Sequence, residues 1–181
     1  MEEADTRKIL SKARNSFNLL GKVWKSESYS RKTKLHLFQS IVLPVLLYGA
    51  ELWRMTVTDE QKLNRFHRVC LKRIMRIKWP MKISNEELYR RTNTKPMSEI
   101  IRERRWRYIG HILRRDPRSH VRVALTWKPE GKRKRSRPKE TWRRTIEREL
   151  KLFGWGIWRE AHQAAQDRAV WRQTCRASIS T

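Results

Sequence analysis

The residues with the plainest chemical purpose lie between Gly131 and Arg144, Gly-Lys-Arg-Lys-Arg-Ser-Arg-Pro-Lys-Glu-Thr-Trp-Arg-Arg, where eight of fourteen are Lys or Arg and Glu140 is the single acid. A run of this density, bounded by Pro129 and Pro138, cannot be neutralised by its own sequence. It either stands in solvent or lies against a polyanion. We read Lys132, Arg133, Lys134, Arg135, Arg137 and Lys139 as a phosphate-gripping loop that continues into Arg143 and Arg144 at the start of a helix. The same density suits a solvated charge run or a nuclear-localisation signal.

The whole chain supports the polyanion. Its 44 Lys and Arg against 18 Asp and Glu leave a formal charge of +26 over 181 residues, and self-repulsion of that size opposes compaction unless counter-charge is supplied. RNA or DNA is the expected partner. A membrane is not expected, because the longest apolar run, Ile41 to Leu47, contains Pro44 and falls far short of the roughly 20 residues a span needs. No signal peptide is read in the sequence. Two cysteines, Cys70 and Cys175, cannot build a disulfide framework, which fits a reducing compartment, nuclear or cytoplasmic. His67 and Cys70 sit three apart on the apolar face of a helix with Leu63, Phe66 and Ile74, so they are expected in the core and no metal is expected.

Enzymatic chemistry on nucleic acid with two metals needs two or three convergent carboxylates. The aspartates Asp5, Asp59, Asp116 and Asp167 are scattered singly, and neither a Walker loop nor a nucleophile elbow is present. No catalytic residue is assigned and no activity is expected of this chain alone.

The elements that must carry the charges read as helices throughout, with no convincing β alternation, so the fold class is all-α. Ile9, Ala13, Phe17 and Leu20 form the face of a first helix. Ser30 is expected to cap a second, which Pro44 should kink. Val45 to Trp53 reads as the buried centre of the N-terminal half, and Glu51 within it should need an Arg or Lys partner or a cluster of backbone N–H groups. Thr58 is expected to cap a helix with Leu63, Phe66, Cys70, Leu71 and Ile74 on one side and Arg68, Lys72 and Arg76 on the other. That opposite side lacks acids from Gln61 to Asn85, which suits the tracking of a phosphate backbone. Ser84 and Glu87 read as a capping box. From Ser98 a long helix carries Trp106 in its apolar arc and Arg104 and Arg107 opposite. Arg102 and Arg105 fall inside the arc and must snorkel or pair with Glu. Trp142, Ile146, Leu150 and Phe153 give the next helix its face. A last helix from about Ile157 carries Trp158, Ala161, Ala165, Ala169 and Trp171.

Four ordered strings carry a likeness: Pro44 to Trp53 (PVLLYGAELW), Phe66 to Ile74 (FHRVCLKRI), Ile83 to Leu88 (ISNEEL) and Arg105 to Arg115 (RWRYIGHILRR). With Gly131 to Pro138 and Thr141 to Arg144, they resemble the region after the palm in reverse transcriptases of non-LTR, LINE-type retrotransposons. The resemblance runs from about Asp5 to Arg172. It implies a thumb-like helical bundle over 1–80, linking helices over 81–127, the basic loop over 128–140, a C-terminal helical pair over 141–176 and a tail over 177–181. It further implies that the polymerase aspartates and their Mg²⁺ belong to an upstream palm, a possible partner within the same polyprotein, and that this chain needs no cofactor of its own. Family members often carry Gly where Ser136 stands. A Cβ there hinders insertion of the backbone into a minor groove, so the loop is expected to grip rather than read sequence. A stand-alone, sequence-tolerant nuclear nucleic-acid-binding protein derived from such an element is the alternative.

Overall fold

The computed structural model describes residues 3–127 and 140–177; the basic loop from Lys132 to Lys139 lies outside the described residues. The described residues are all-α, without a strand. They divide into two compact units: Met1–Ala50 with Thr56–Ile100, and Glu51–Met55 with Ile101–Thr181.

The first unit opens with α1 (Glu3–Leu19) and α2 (Gly21–Lys25). Ala13 and Phe17 are buried, as the spacing on α1 requires, while Leu10 takes the core place expected of Ile9, and Ile9 and Leu20 are half-buried. Trp24 of α2 folds back to stack on Phe17, centroids 5.0 Å apart, and its indole N–H donates to the Phe17 carbonyl at 2.7 Å. Helix α3 (Arg31–Leu37) begins where the Ser30 hydroxyl accepts from the Thr33 amide at 3.0 Å. The kink at Pro44 takes a definite form. Phe38–Val42 widens into a π-helical turn in which the Leu43 amide reaches back to Phe38, and α4 (Leu43–Leu46) starts anew with the proline near its first position. A proline has no N–H to give and crowds the carbonyl four residues back, so the extra residue in the turn relieves both problems.

Helix α5 (Val57–Ile74) is capped by Thr56, two residues earlier than expected. The Asp59 amide donates to the Thr56 hydroxyl at 3.1 Å, and the Asp59 carboxylate accepts from Thr56 and, at 2.8 Å, from the buried Thr6 hydroxyl of α1. Only Thr56 has an acid three residues on, which completes a reciprocal box. The apolar face of α5 is buried through Leu63, Phe66, Cys70, Leu71 and Ile74. His67 joins it, stacked on Phe38 at 5.8 Å. Helix α6 (Asn85–Thr92) has half of its expected box: Ser84 accepts from the Glu87 amide, while the Glu87 carboxylate turns to Arg90 and Arg91. Helix α7 (Met97–Leu113) receives its cap from α5, where Asn64 Oδ1 accepts from the Met97 amide at 2.7 Å.

The second unit takes α7 from Ile101 onward, α8 (His120–Thr126), α9 (Trp142–Leu152), α10 (Trp158–Gln166) and α11 (Arg168–Ala177). Its core joins Trp106, Ile109, Ile112, Ile146, Leu150 and Phe153 with Ala161, Ala165 and Trp171. The segment Val45 to Trp53 is therefore not one buried centre. Leu46, Leu47 and Ala50 are buried in the first unit, Tyr48 and Leu52 stand exposed, and Trp53 and Met55 are buried in the second. Glu51 is only half-buried, so its carboxylate needs no counter-charge; its carbonyl accepts from the Trp142 indole at 2.9 Å.

The expected last helix is two. Asp167 leaves helical geometry, and its Oδ1 accepts from the Ala169 amide at 2.7 Å and the Val170 amide at 3.1 Å, so it caps a fresh helix. Ala169 is consequently exposed, while Trp171 enters the core.

Candidate nucleic-acid interface

Arginines meet three different fates in this chain. The first is burial against a carboxylate. Arg105, 1% exposed, hydrogen-bonds Glu149 Oε1 of α9 and the Trp53 carbonyl, and the Trp106 indole takes the other Glu149 oxygen at 2.9 Å. Arg102 lies 3.9 Å from the same carboxylate. Of the two outcomes open to these arginines, snorkelling or pairing with Glu, both take the pairing, with one residue, and Arg105 thereby joins α7 to Glu149 of α9 and to the segment at Trp53.

The second fate is the capping of carbonyls. Arg76, expected to face a phosphate, donates instead to the Lys25 carbonyl at 2.6 Å, the Ser26 carbonyl at 3.2 Å and Glu27 Oε1 at 2.8 Å. The guanidinium beside it holds the Glu27 carboxyl below its usual range. Buried Lys34 donates to the Trp24 and Ser26 carbonyls of the same turn. Arg143 behaves likewise, donating to the Leu125 and Trp127 carbonyls at 3.0 and 2.6 Å, where α8 ends. Both residues occupy places where a helix presents carbonyls without partners, and a guanidinium satisfies two at once. Nothing in a one-dimensional charge pattern distinguishes this role from phosphate contact.

The third fate is a place at or near the surface. Arg68 and Lys72 of α5 are half-buried; Lys72 shares a cavity of about 670 Å³ with Arg73 and Arg76. Arg104 is half-buried on α7. Exposed Arg107 leans on Glu103 at 3.1 Å, and Arg144 is exposed on α9. The loop members Lys132, Arg133, Lys134, Arg135, Arg137 and Lys139 lie outside the described residues.

Among the described residues, charge also gathers around Arg107 with partners the sequence reading left unassigned. Arg107 and His111 of α7, Arg114 just past its end, and Arg168, Arg172 and Arg176 of α11 line one groove of about 490 Å³, with Glu103 as its only carboxylate among the described lining residues. The groove exists because α11 lies close to α7. Gly110 has no Cβ, and one built there would stand 2.2 to 2.8 Å from the Trp171 ring. Through that gap the Trp171 indole donates to the Trp106 carbonyl at 3.0 Å. Trp171 also stacks on Trp155 with centroids 5.0 Å apart. Two arginine-bearing helices are thus held together by apolar packing against their mutual repulsion. Arg114 records that repulsion: burial first, then Arg168 and Arg172, push its guanidinium below the usual range, while one of its N–H groups donates to the Ala165 carbonyl at 2.8 Å. The side chains of Arg168 and Arg172 make no hydrogen bond or ion pair with any described residue. The spacing of Arg168, Arg172 and Arg176 at i, i+4 and i+8 was the available signal, hidden by reading helices α10 and α11 as one.

The other titratable groups do not point to a reactive centre. Burial raises both thiols, Cys70 and Cys175, to about 12, so neither supplies a thiolate near neutrality. Burial lowers His67 to about 4 and keeps its ring neutral. Among the described residues no three His, Cys, Asp or Glu side chains gather as metal ligands, and no helix is long and apolar enough to cross a membrane.

No protein-family model matches the chain, and no solved structure matches it. It is similar to an uncharacterized transposon-derived protein of Caenorhabditis elegans, 25% identical over 127 residues. The match covers 66% of this chain and 45% of the worm protein, so the chain corresponds to less than half of that relative. The likeness points to a transposon origin.

Proposed function

We propose that the chain is the thumb and post-thumb portion of a non-LTR retrotransposon reverse transcriptase, acting inside the cell in the nucleus or cytoplasm. It holds template, primer or target nucleic acid by its phosphates and performs no chemistry of its own. The observation that carries this reading is the α7–α11 groove, where five arginines face one carboxylate and Arg168 and Arg172 have no protein partner among the described residues. Gathering like charges costs folding free energy, and a bound polyanion would recover it. The net charge of +26 and the likeness to a transposon-derived protein support the same reading. Mg²⁺ and the polymerase carboxylates would belong to an upstream palm.

The test is competition. A labelled oligonucleotide bound to the full chain is expected to be displaced by unlabelled nucleic acid and by heparin, and only weakly by an acidic peptide of equal charge. Equal displacement by the peptide would identify a basic adaptor for acidic proteins instead. The polymerase origin is tested separately: an open frame upstream of Met1 in the transcript, carrying a paired-aspartate palm, is expected. A frame closed by stops leaves the stand-alone binding protein.

A further inference from the structure

The geometry points to one strand, not a duplex, as the occupant of the α7–α11 groove: we propose that it takes consecutive phosphates of a single-stranded nucleic-acid segment. This rests on the nucleic-acid-holding reading and specifies its ligand.

Along α11, Arg168, Arg172 and Arg176 recur every four residues, a step of about 6 Å along the helix axis. That step is close to the distance between successive phosphates of one extended strand. On the facing wall stand Arg107, which leans on Glu103, and Arg114, which donates one N–H to the Ala165 carbonyl, with His111 between them. Neighbouring packed helices have axes only about 8–10 Å apart. The cations of the two helices therefore line one narrow surface seam, which a single sugar-phosphate chain can follow. A duplex is wider, carries its phosphates on two ridges, and can touch only the rim.

The floor of the groove excludes base recognition. Trp171 is 2% exposed and committed to Trp155 and Trp106, so no ring is offered for stacking. Recognition through phosphates alone is sequence-tolerant, with the bases turned outward. A free polyphosphate has the same chemistry as a run of backbone phosphates, and the experiment separates the two.

The full chain is titrated by fluorescence anisotropy with a short mixed-sequence single strand and with the same strand annealed to its complement, and inorganic tripolyphosphate is used as competitor. Three proteins are compared: the wild type, the double variant Arg168→Gln/Arg172→Gln, and a charge-matched control, Lys8→Gln/Lys12→Gln, on the exposed side of α1. Single-strand affinity is expected to fall about tenfold in the groove variant, and its salt slope to shrink by about 1.4, the share of two phosphates on a single strand. Duplex affinity should change about twofold or less, as should both affinities in the control. The thermal midpoint of the groove variant should hold or rise, because like charges have been removed; a structural role for these arginines predicts a fall. Equal losses on single strand and duplex overturn the proposed selectivity. Unchanged single-strand binding in the groove variant removes the groove as the site while leaving nucleic-acid binding intact, and a wild type that binds neither form overturns the underlying reading itself. Tripolyphosphate bound as tightly as the strand assigns the groove to a free phosphate compound.

Discussion

Among the described residues each unit buries one Lys or Arg, and the two are satisfied differently. In the first unit the Lys34 ammonium is 3% exposed and its hydrogen bonds go to carbonyls, those of Trp24 and Ser26, with the exposed Glu27 carboxylate near enough to feel its charge. In the second the Arg105 guanidinium meets the Glu149 carboxylate, which Trp106 also holds. A lysine is a point charge on a flexible stem, and a turn's dipoles suffice for it at the edge of a core. An arginine fork deep among α7, α9 and the Trp53 segment needs a full counter-charge, and in return fixes three pieces of chain at once. The comparison teaches that a basic residue in this protein is defined by what meets it: a carboxylate, a set of carbonyls or, as for the side chains of Arg168 and Arg172, no described residue.

The comparison breaks most visibly at Glu149. Glu149→Gln leaves the buried guanidinium without its counter-charge and should cost about 3–5 kcal/mol in urea unfolding. Lys34→Met, which removes the charge along with its need, should cost about 1–2 kcal/mol. If both cost the same, the distinction between the two buried cations fails. Replacing both members of the second pair, Arg105→Met with Glu149→Leu, should recover most of the loss.

The acid response should come from the first unit. His67 is depressed from 6.5 to about 4 by burial, so the unfolded chain binds the proton more readily. Its contribution is fully present above about pH 6.5 and is lost as the pH falls toward 4, amounting to about 3 kcal/mol by the linkage relation. Urea midpoints measured across this window should drop in the wild type and stay nearly level in His67→Phe, which keeps the ring stacked on Phe38.

Two glycines sharpen the contrast further. Gly110→Ala places a methyl into the Trp171 ring and should cost about 1–3 kcal/mol by overpacking. Gly21→Ala in the first unit meets nothing within 4 Å and should be neutral or stabilising by about 0.4–1 kcal/mol. Smallest of all is the effect of Arg76→Ala, whose exposed contacts to the Lys25–Glu27 turn are worth about 1 kcal/mol or less. That variant should leave nucleic-acid affinity within about twofold, whereas Arg68→Ala should weaken binding and leave stability alone.

Helical faces were legible because burial follows period. Phe17, Leu63, Trp106 and Ile146 lie inside where their spacing places them, and Arg105 inside an apolar arc announced an acidic partner. The identity of that partner was not legible, since Glu149 is 44 residues away. The break at Asp167 was hidden because alanines on both sides continue the helical period, so one side chain's two hydrogen bonds decide between one helix and two. Arg76 and Arg143 looked like phosphate ligands because the carbonyls they cap come from other parts of the chain. The α7–α11 groove depends on that break and on Gly110, neither of which carries a charge signal.

The salt dependence of oligonucleotide affinity for the full chain tests the central claim most directly. If about six arginines and lysines meet phosphates, log K should fall against log salt concentration with a slope of roughly −4 to −5. A slope near zero would contradict the account, because binding would then owe nothing to the charges the fold leaves free.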